Sequence, residues 1–132
     1  MSEFADLFRQ RDAMARHLGI VLVEAIPGYA RATMKVGPEL LNGAGVTHGG
    51  AIFSLADIVF AAAGNARGPL ALALSVNIHF LKATTAGAVL TATAREEKIT
   101  GRTGLYRMEV RDDRGDLVAL AEGLAYRMEN VR

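Results

Sequence analysis

Apolar side chains recur at helical spacing near the start of the chain and at strand spacing soon after it. The helical stripe has positions three or four residues apart with charged residues between them: Phe4, Leu7, Phe8, Arg11, Met14 and Leu18. This spacing predicts one amphipathic helix, and Gly19 is well suited to end it. The apolar run Ile20–Ile26 predicts a strand, which the turn signal Pro27-Gly28 follows. Alternation of polar and apolar residues over Tyr29–Val36 predicts a second, half-buried strand.

A loop and a segment that is apolar on almost every side come next. We expect the loop over Gly37–Thr47 and a helix over Gly49–Asn65. Because this helix has hardly any polar surface, other parts of the protein must surround it. The remaining apolar or alternating segments predict four strands, the last two joined by a polar turn: Leu70–Leu81, Ala88–Glu97, Thr103–Arg111 and Leu117–Arg127.

Together these elements predict an α+β fold. The simplest architecture is an antiparallel sheet of about six strands that curls around the long buried helix. The length of 132 residues suits one domain, so we expect a single domain over residues 1–132. The open face and free edges of such a sheet favour dimerisation.

Composition narrows the range of partners and compartments. The formal net charge is +1, tryptophan is absent and no basic stripe is visible, so nucleic acid is not an expected partner. The absence of cysteine excludes disulfides and a cysteine nucleophile, and the three histidines lack the spacing of a metal site. We expect a cytoplasmic protein that does not enter membranes, because no signal peptide is visible and the longest apolar stretch, Gly49–Gly64, is shorter than the ~20 residues of a membrane span.

The segment from Asn42 to Asp57 carries the clearest chemical signal. Gly49 and Gly50 precede the apolar helix, and without side chains they let a ligand approach their backbone N–H groups. The first N–H groups of a helix have no intrahelical partner and lie at the positive end of its dipole. This arrangement would stabilise a carbonyl oxygen that gains negative charge, as an oxyanion hole does.

Asp57 is the second signal, because it lies in the middle of the apolar helix. A buried carboxylate without a partner is costly, and burial raises its pKa and makes it a better base. A functional role is therefore favoured. Seven or eight residues separate the helix start from Asp57, which is roughly 10–12 Å at about 1.5 Å per residue. One carbonyl cannot contact both, so we predict a composite site in which Asp57 comes from a second chain.

Other interpretations of these residues stay open at this point. Asp57 is alternatively a structural carboxylate, His48 a helix cap and Asn42 a turn residue. The glycines at 43 and 45 do not make a dinucleotide-binding loop, because no parallel βαβ unit surrounds them. Ser54 does not lie in a Gly-x-Ser-x-Gly elbow, so a serine hydrolase triad is not supported.

At these positions the sequence resembles the hotdog-fold acyl-CoA thioesterases, in particular the type from phenylacetate degradation. The matching residues are Leu41-Asn42-Gly43, His48-Gly49-Gly50, Phe53–Asp57, Phe60-Ala61, Asn65 and the strand Asn77–Lys82, with further matches at Gly87–Ala94 and Thr103-Gly104. The resemblance implies a hotdog fold in which a homodimer forms one continuous larger sheet, commonly paired again into a homotetramer. It also implies that no metal or cofactor is needed.

The same resemblance implies a role for each site residue. The Gly50 amide would polarise a thioester carbonyl, while Asn42 and His48 would hold or polarise the acyl group or the water. Asp57 of the opposite protomer would be the nucleophile or the general base. The implied substrates are phenylacetyl- and hydroxyphenylacetyl-type CoA esters.

This sequence departs from the family pattern at two places. Some relatives carry Ser or Thr on the strand after the helix, where this chain has Ala73. Ser75 and Asn77 would share the face of Ala73 on a regular strand and would then be its substitutes. The usual Arg-Pro after the central strand is Lys82-Ala83, so Lys82, together with Arg102, is a candidate to contact CoA phosphates.

The sequence therefore predicts an acyl-CoA thioesterase. The alternative is a non-catalytic acyl-CoA-binding or regulatory hotdog module, which the presence of Asp57 disfavours. A hydratase would need a different acid–histidine pair, which the sequence does not show. The small residues Ala61–Gly64 leave room for an aromatic ring, and a linear acyl chain would fill the same space.

Overall fold

A computed structural model of the chain describes residues 3–128. Its elements in chain order are α1 Glu3–Arg11, α2 Ala13–Leu18, β1 Ile20–Ile26, β2 Tyr29–Lys35, α3 Gly49–Asn65, β3 Ala71–Phe80, β4 Val89–Thr100, β5 Thr103–Arg111 and β6 Leu117–Arg127, with a 3₁₀ turn over Pro38–Leu40. The strands form one antiparallel sheet in the order β1-β2-β4-β5-β6-β3. The predicted six-stranded antiparallel sheet with a long helix against it is confirmed.

The central helix α3 lies against the inner face of the sheet because the strands present small residues to it. Ala30 pairs with Ala94 and Ala32 with Ala92 across β2 and β4, and all four side chains are buried. On β6, a Cβ added at Gly123 would lie 2.7 Å from ring atoms of Phe60 on the helix, so the glycine makes room for that ring. This close approach removes nearly the whole apolar surface of α3 from water.

The N-terminal helix is not continuous, which corrects the prediction of one amphipathic helix. The helix is interrupted at Asp12, whose backbone is extended and whose side-chain Oδ1 accepts the N–H of Ala15 at 3.0 Å. Asp12 therefore caps a second helix, which an acidic residue at this place stabilises. Gly19 ends that helix in the left-handed conformation (φ 73°), as predicted.

Strand β3 forms one edge of the sheet and is the most exposed strand. Leu72, Leu74 and Phe80 are 53%, 59% and 51% exposed. A register shift between Ala73 and Ser75 in the pairing with β6 places a bulge at Leu74. A bulge of this kind changes which face of the sheet the following side chains occupy.

Strand β4 runs to Thr100, three residues beyond the prediction, because the hairpin with β5 closes there. Thr100 pairs with Thr103, and Gly101 adopts a positive φ of 59° in the turn. Within residues 3–128, none of the helices is long and apolar enough to cross a membrane.

Candidate active site

The loop before α3 is held in place by backbone and hydroxyl contacts. The N–H of His48 donates to the carbonyl of Leu40 at 2.8 Å, and Leu41 forms a bridge with Thr47. The buried hydroxyls of Thr47 and Thr84 lie 2.7 Å apart, which fixes the loop to the connection after β3. These contacts place the N-terminus of α3 beside the end of β3.

The side chain of Asn42 stabilises a turn with its oxygen and leaves its NH₂ group available to a ligand. Its Oδ1 accepts the backbone N–H of Ala44 at 2.9 Å and of Val46 at 3.3 Å, so it shapes the loop. Among residues 3–128 its side-chain NH₂ has no hydrogen-bond partner, and Asn42 lines a cavity with Gly49. The turn interpretation and a substrate-binding role are therefore compatible.

His48 is the N-cap of α3, and this changes which glycine amide is available. The Nδ1 of His48 accepts the N–H of Gly50 at 2.8 Å. The sequence-based assignment of Gly50 as the carbonyl-polarising donor is therefore not met, because its N–H is already bonded. The N–H of Gly49 has no partner in the described part of the chain and lies against the cavity that Asn42 lines.

The cavity at Gly49 has a volume of about 400 Å³. Its lining residues are Asn42, Val46, Thr47, Gly49, Ile52, Phe80, Leu81, Lys82 and Ala83. The ring of Phe80 covers Gly49 closely, since a Cβ added there would lie 3.4 Å from the ring. The backbone of Gly49 thus forms part of the cavity wall.

Of the two candidate phosphate contacts, Lys82 lines the cavity at Gly49 and Arg102 does not. Lys82 Nζ donates to Asp112 Oδ2 at 2.6 Å and to Asp116 Oδ2 at 2.7 Å, and these hydrogen bonds raise its pKa. Its charge is therefore neutralised within its own chain. Arg102 lies in the β4–β5 turn at the other end of β3 from Lys82, where its guanidinium donates to the Tyr126 hydroxyl at 3.3 Å.

Asp57 lies on the one face of α3 that the chain leaves partly open. Its carboxylate has no hydrogen bond or ion pair within residues 3–128. Burial is the main cause that raises the pKa of Asp57, and the negative charge of Asp12 adds to it. The expectation that desolvation would raise this pKa is confirmed in direction.

A smaller cavity of about 170 Å³ lies at Asp57. Its lining residues are Asp57, Phe60, Ala61, Gly64, Asn65, Ala71, Leu72, Ala73 and Ala125. The residues next to the carboxylate are thus mostly small and apolar. This cavity shares no lining residue with the cavity at Gly49.

The bulge in β3 corrects the prediction that Ala73, Ser75 and Asn77 share a face. Ala73 pairs with the buried Ala125 and faces α3, whereas Ser75 pairs with Leu124 one residue earlier on β6. Since alternate residues point to opposite faces, Ser75 and Asn77 lie on the outer face of the sheet. Neither hydroxyl nor amide reaches Asp57 of the same chain.

Asn65 holds the wall of the Asp57 cavity in place. The sequence analysis included it among the residues that resemble the family but assigned it no role. Its side chain donates to the carbonyls of Ala61 and Ala71 at 2.9 and 3.0 Å and accepts the N–H of Ala71 at 2.9 Å. These bonds join the end of α3 to the start of β3 and fix Ala73 near Asp57. The signal in the sequence was a polar residue ending an otherwise apolar helix.

The structure thus separates the candidate donors from the candidate acid. Asn42 and Gly49 lie together at the first turn of α3, while Asp57 lies eight residues along the helix from Gly49, about 12 Å away at the usual rise. The donors can polarise a carbonyl, and the acid can act as a base or nucleophile. In one chain they cannot act on the same carbonyl.

Comparisons with known proteins agree on one family for this chain. The family model of the thioesterase superfamily matches residues 44–119. A protein of Archaeoglobus fulgidus, provisionally named an esterase, is 43% identical over 123 residues, which cover 93% of this chain and 80% of the relative. The acyl-coenzyme A thioesterase PaaI of Escherichia coli K12 is 40% identical over 119 residues, covering 90% of this chain and 85% of the relative.

Solved structures support the same grouping. The structure of the E. coli PaaI protein from the phenylacetic acid degradation operon superposes with a TM-score of 0.93 at 38% identity, covering 98% of this chain and 94% of that chain. A Streptococcus mutans protein bound to acetyl-CoA superposes with a TM-score of 0.80 at 25% identity, covering 86% and 91% of the two chains. The hotdog fold implied by the resemblance is therefore confirmed.

Proposed function

The chain belongs to the thioesterase superfamily, and on that basis we propose that it hydrolyses acyl-CoA thioesters to a carboxylate and free CoA. The name of the E. coli relative and the acetyl-CoA in the S. mutans neighbour support an acyl-CoA substrate. The observation that carries the proposal is the unpaired Asp57 carboxylate, half-buried among small apolar residues.

The active site of this thioesterase is formed by two chains. The donors at Asn42 and Gly49 and the acid at Asp57 are too far apart in one chain to act on one carbonyl. The bare edge strand β3, with exposed Leu72 and Leu74, lies beside the Asp57 cavity and supports pairing with a second copy there. A two-fold dimer then has two equivalent sites, each with the first turn of α3 from one chain and Asp57 from its partner.

In each site the Gly49 N–H and the Asn42 side-chain NH₂ bind the thioester carbonyl oxygen. They stabilise the negative charge that develops on this oxygen when the carbonyl carbon is attacked. His48 contributes indirectly, because its bond to Gly50 fixes the turn that presents Gly49. The tetrahedral intermediate collapses with release of the CoA thiolate, which takes up a proton to give free CoA.

Asp57 supplies the attack by one of two routes. As general base it removes a proton from water, whose oxygen adds to the carbonyl carbon. As nucleophile its carboxylate adds directly and forms an anhydride, which water then cleaves. A single turnover in H₂¹⁸O tests for the nucleophilic route: label in Asp57 shows that water cleaved an anhydride at the Asp57 carbonyl carbon, whereas the general-base route places the label only in the product.

The acyl group is an aryl-acetyl type. The cavity at Asp57 is lined by several small residues, among them Ala61, Gly64, Ala73 and Ala125, which leave an apolar space. The phenylacetic acid degradation operon of the E. coli relative favours phenylacetyl-CoA, and the family resemblance in the sequence adds hydroxyphenylacetyl-CoA. A linear acyl chain is the competing occupant.

A panel of acyl-CoA substrates tests both the thioesterase activity and the preference for an arylacetyl group. We expect thiol release, followed with DTNB, and a higher kcat/KM for phenylacetyl-CoA than for straight-chain esters of similar size. A preference for straight chains would contradict the aryl assignment while keeping the thioesterase. Binding of acyl-CoA without thiol release by the wild-type protein would instead favour a non-catalytic binding module.

A further inference from the structure

A buried pair of threonine hydroxyls joins the loop before α3 to the connection between β3 and β4. Thr47 and Thr84 are only 5% and 8% exposed, and their hydroxyl oxygens lie 2.7 Å apart. The contact pairs two polar groups where an unpaired hydroxyl would be costly. The thioesterase mechanism proposed above gives Thr84 no role.

The loop over residues 37–48, which carries Asn42, is shaped by bonds within itself. Its N–H groups at Asn42 and His48 donate to carbonyls of the same loop, both at 2.8 Å. Such local bonds define the path of the loop but not its place beside the sheet. Within the described part of the chain, the hydrogen bonds that leave this loop for any segment other than α3 both run from Thr47 to Thr84. They are the hydroxyl contact and the bond from the Thr47 N–H to the Thr84 carbonyl at 2.8 Å.

Both proposed oxyanion donors lie within a few residues of Thr47. Asn42 precedes it and Gly49 follows it, and all three line the same cavity of about 400 Å³. The buried Leu40 also holds the loop, but apolar packing is non-directional and does not orient a hydrogen-bond donor. The directional link between the donors and the sheet therefore passes through Thr84.

We propose that Thr84 is a positioning residue of the active site, whose hydroxyl, through Thr47, holds the donors of Asn42 and Gly49 where the thioester oxygen binds. Thr84 does not line the donor cavity, so it acts through Thr47 and not on the substrate. A displacement of the donors by about 1 Å would weaken both bonds to the oxygen as its charge develops. The inference rests on the proposed function, in which these donors stabilise that charge.

The test removes the hydroxyl of Thr84 and keeps the shape of the side chain. For Thr84→Val we expect kcat for phenylacetyl-CoA to fall about 10-fold with less than about a twofold change in KM, because misplaced donors cost most in the transition state. Thr84→Ser returns the hydroxyl and should restore most of kcat. The matched control is Thr85→Val, which makes the same change at the exposed neighbouring residue and should leave kcat unchanged.

A double variant separates positioning from stability. Thr84→Val alone leaves the Thr47 hydroxyl buried without its partner, so it should also lower the unfolding temperature. Thr47→Val combined with Thr84→Val removes both hydroxyls and should recover most of the unfolding temperature but not kcat. If kcat recovers together with the unfolding temperature, or does not fall in Thr84→Val, then Thr84 has only a structural role and the inference is wrong.

The ¹⁵N–¹H resonances of the Gly49 amide and the Asn42 side chain test the same inference without any substrate. They should shift in Thr84→Val and stay in place in Thr84→Ser and Thr85→Val. Unchanged resonances in Thr84→Val would contradict the inference, even if the thioesterase is active. If the wild type releases no thiol, the proposed function fails, and these resonances alone decide whether Thr84 positions the two donors.

Discussion

The first and third turns of helix α3 differ in their surroundings and in the functional groups that they offer. The first turn is partly exposed and follows a glycine-bearing loop, and hydrogen-bond donors lie there at Gly49 and, in the loop, at Asn42. The third turn is surrounded by apolar residues and offers one unpaired acid, Asp57. The donors at the first turn would stabilise a negatively charged oxygen, and the carboxylate at the third turn would act as base or nucleophile.

In the proposed function the helix separates two half-sites. Its rise keeps donor and acid about 12 Å apart, and its apolar faces hold it rigidly against the sheet. A single chain cannot move the two together without unpacking the core around α3. In the proposed function the catalytic unit is therefore formed by two chains, and each of the following substitutions changes one turn and leaves the other intact.

The largest effect is expected from neutralising the third turn. Asp57→Asn keeps the size of the side chain but removes its basicity, so kcat should fall by about 10²–10⁴-fold with little change in KM. Steady-state thiol release measures both parameters. Retention of more than a tenth of the wild-type rate would mean that the first turn alone carries the chemistry.

The second experiment places a substitution in the first turn of one chain and a substitution in the third turn of its partner. Gly49→Val fills the space in front of the Gly49 N–H, since even a Cβ there meets the Phe80 ring at 3.4 Å. Dimers that combine one Gly49→Val chain with one Asp57→Asn chain contain one intact composite site. Their activity, measured after purification with two different tags, should be about half that of the wild type.

The two parental variants are the controls for this restoration, because each dimer of identical chains has no intact site. Mixed dimers no more active than the parents would contradict the composite site. A wild-type protein that is monomeric and active in solution would contradict it as well.

The third experiment compares the two adjacent glycines of the first turn. Gly49→Ala keeps the free N–H but places a methyl group beside it, so kcat/KM should fall to the extent that the methyl hinders the carbonyl oxygen, at most about the 10²-fold that the loss of one oxyanion donor costs. Gly50→Ala places its methyl 3.1 Å from His48 Nδ1, so it should disturb the cap and cost less activity. A larger loss for Gly50→Ala would restore Gly50 as the functional donor.

Much of the fold could be read from the sequence, because periodicity and burial agree along most of the chain. Helix α3 begins and ends where the apolar run predicted, and the paired alanines of β2 and β4 follow the expected alternation. The break at Asp12 was missed because the apolar stripe continues in phase through it. The extended backbone of Asp12 and its capping bond from Ala15, both local features, show that the backbone leaves the helix there.

The candidate site was only partly predictable for a related reason. Residue type and position identified Asp57 and the first turn of α3, since a lone acid in an apolar helix is visible in sequence. The choice between Gly49 and Gly50 depends on which N–H the His48 ring accepts. The exclusion of Ser75 depends on a bulge, and a bulge leaves no mark on the alternation of so exposed a strand.

The smallest effect is expected in the stability of Asp57→Asn. The same substitution that lowers activity most should raise stability. Because the folded-state pKa of Asp57 is raised, the folded protein binds this proton more tightly than the unfolded chain, so stability falls as pH rises through the folded pKa. Asp57→Asn carries no such penalty and should unfold at a higher temperature than the wild type at neutral pH. The difference should shrink as the solution is acidified below the unfolded-state pKa, where the wild-type carboxyl is protonated in both states. Thermal unfolding across this pH range measures it, and a wild type more stable than Asp57→Asn at neutral pH would mean that Asp57 is a satisfied structural carboxylate.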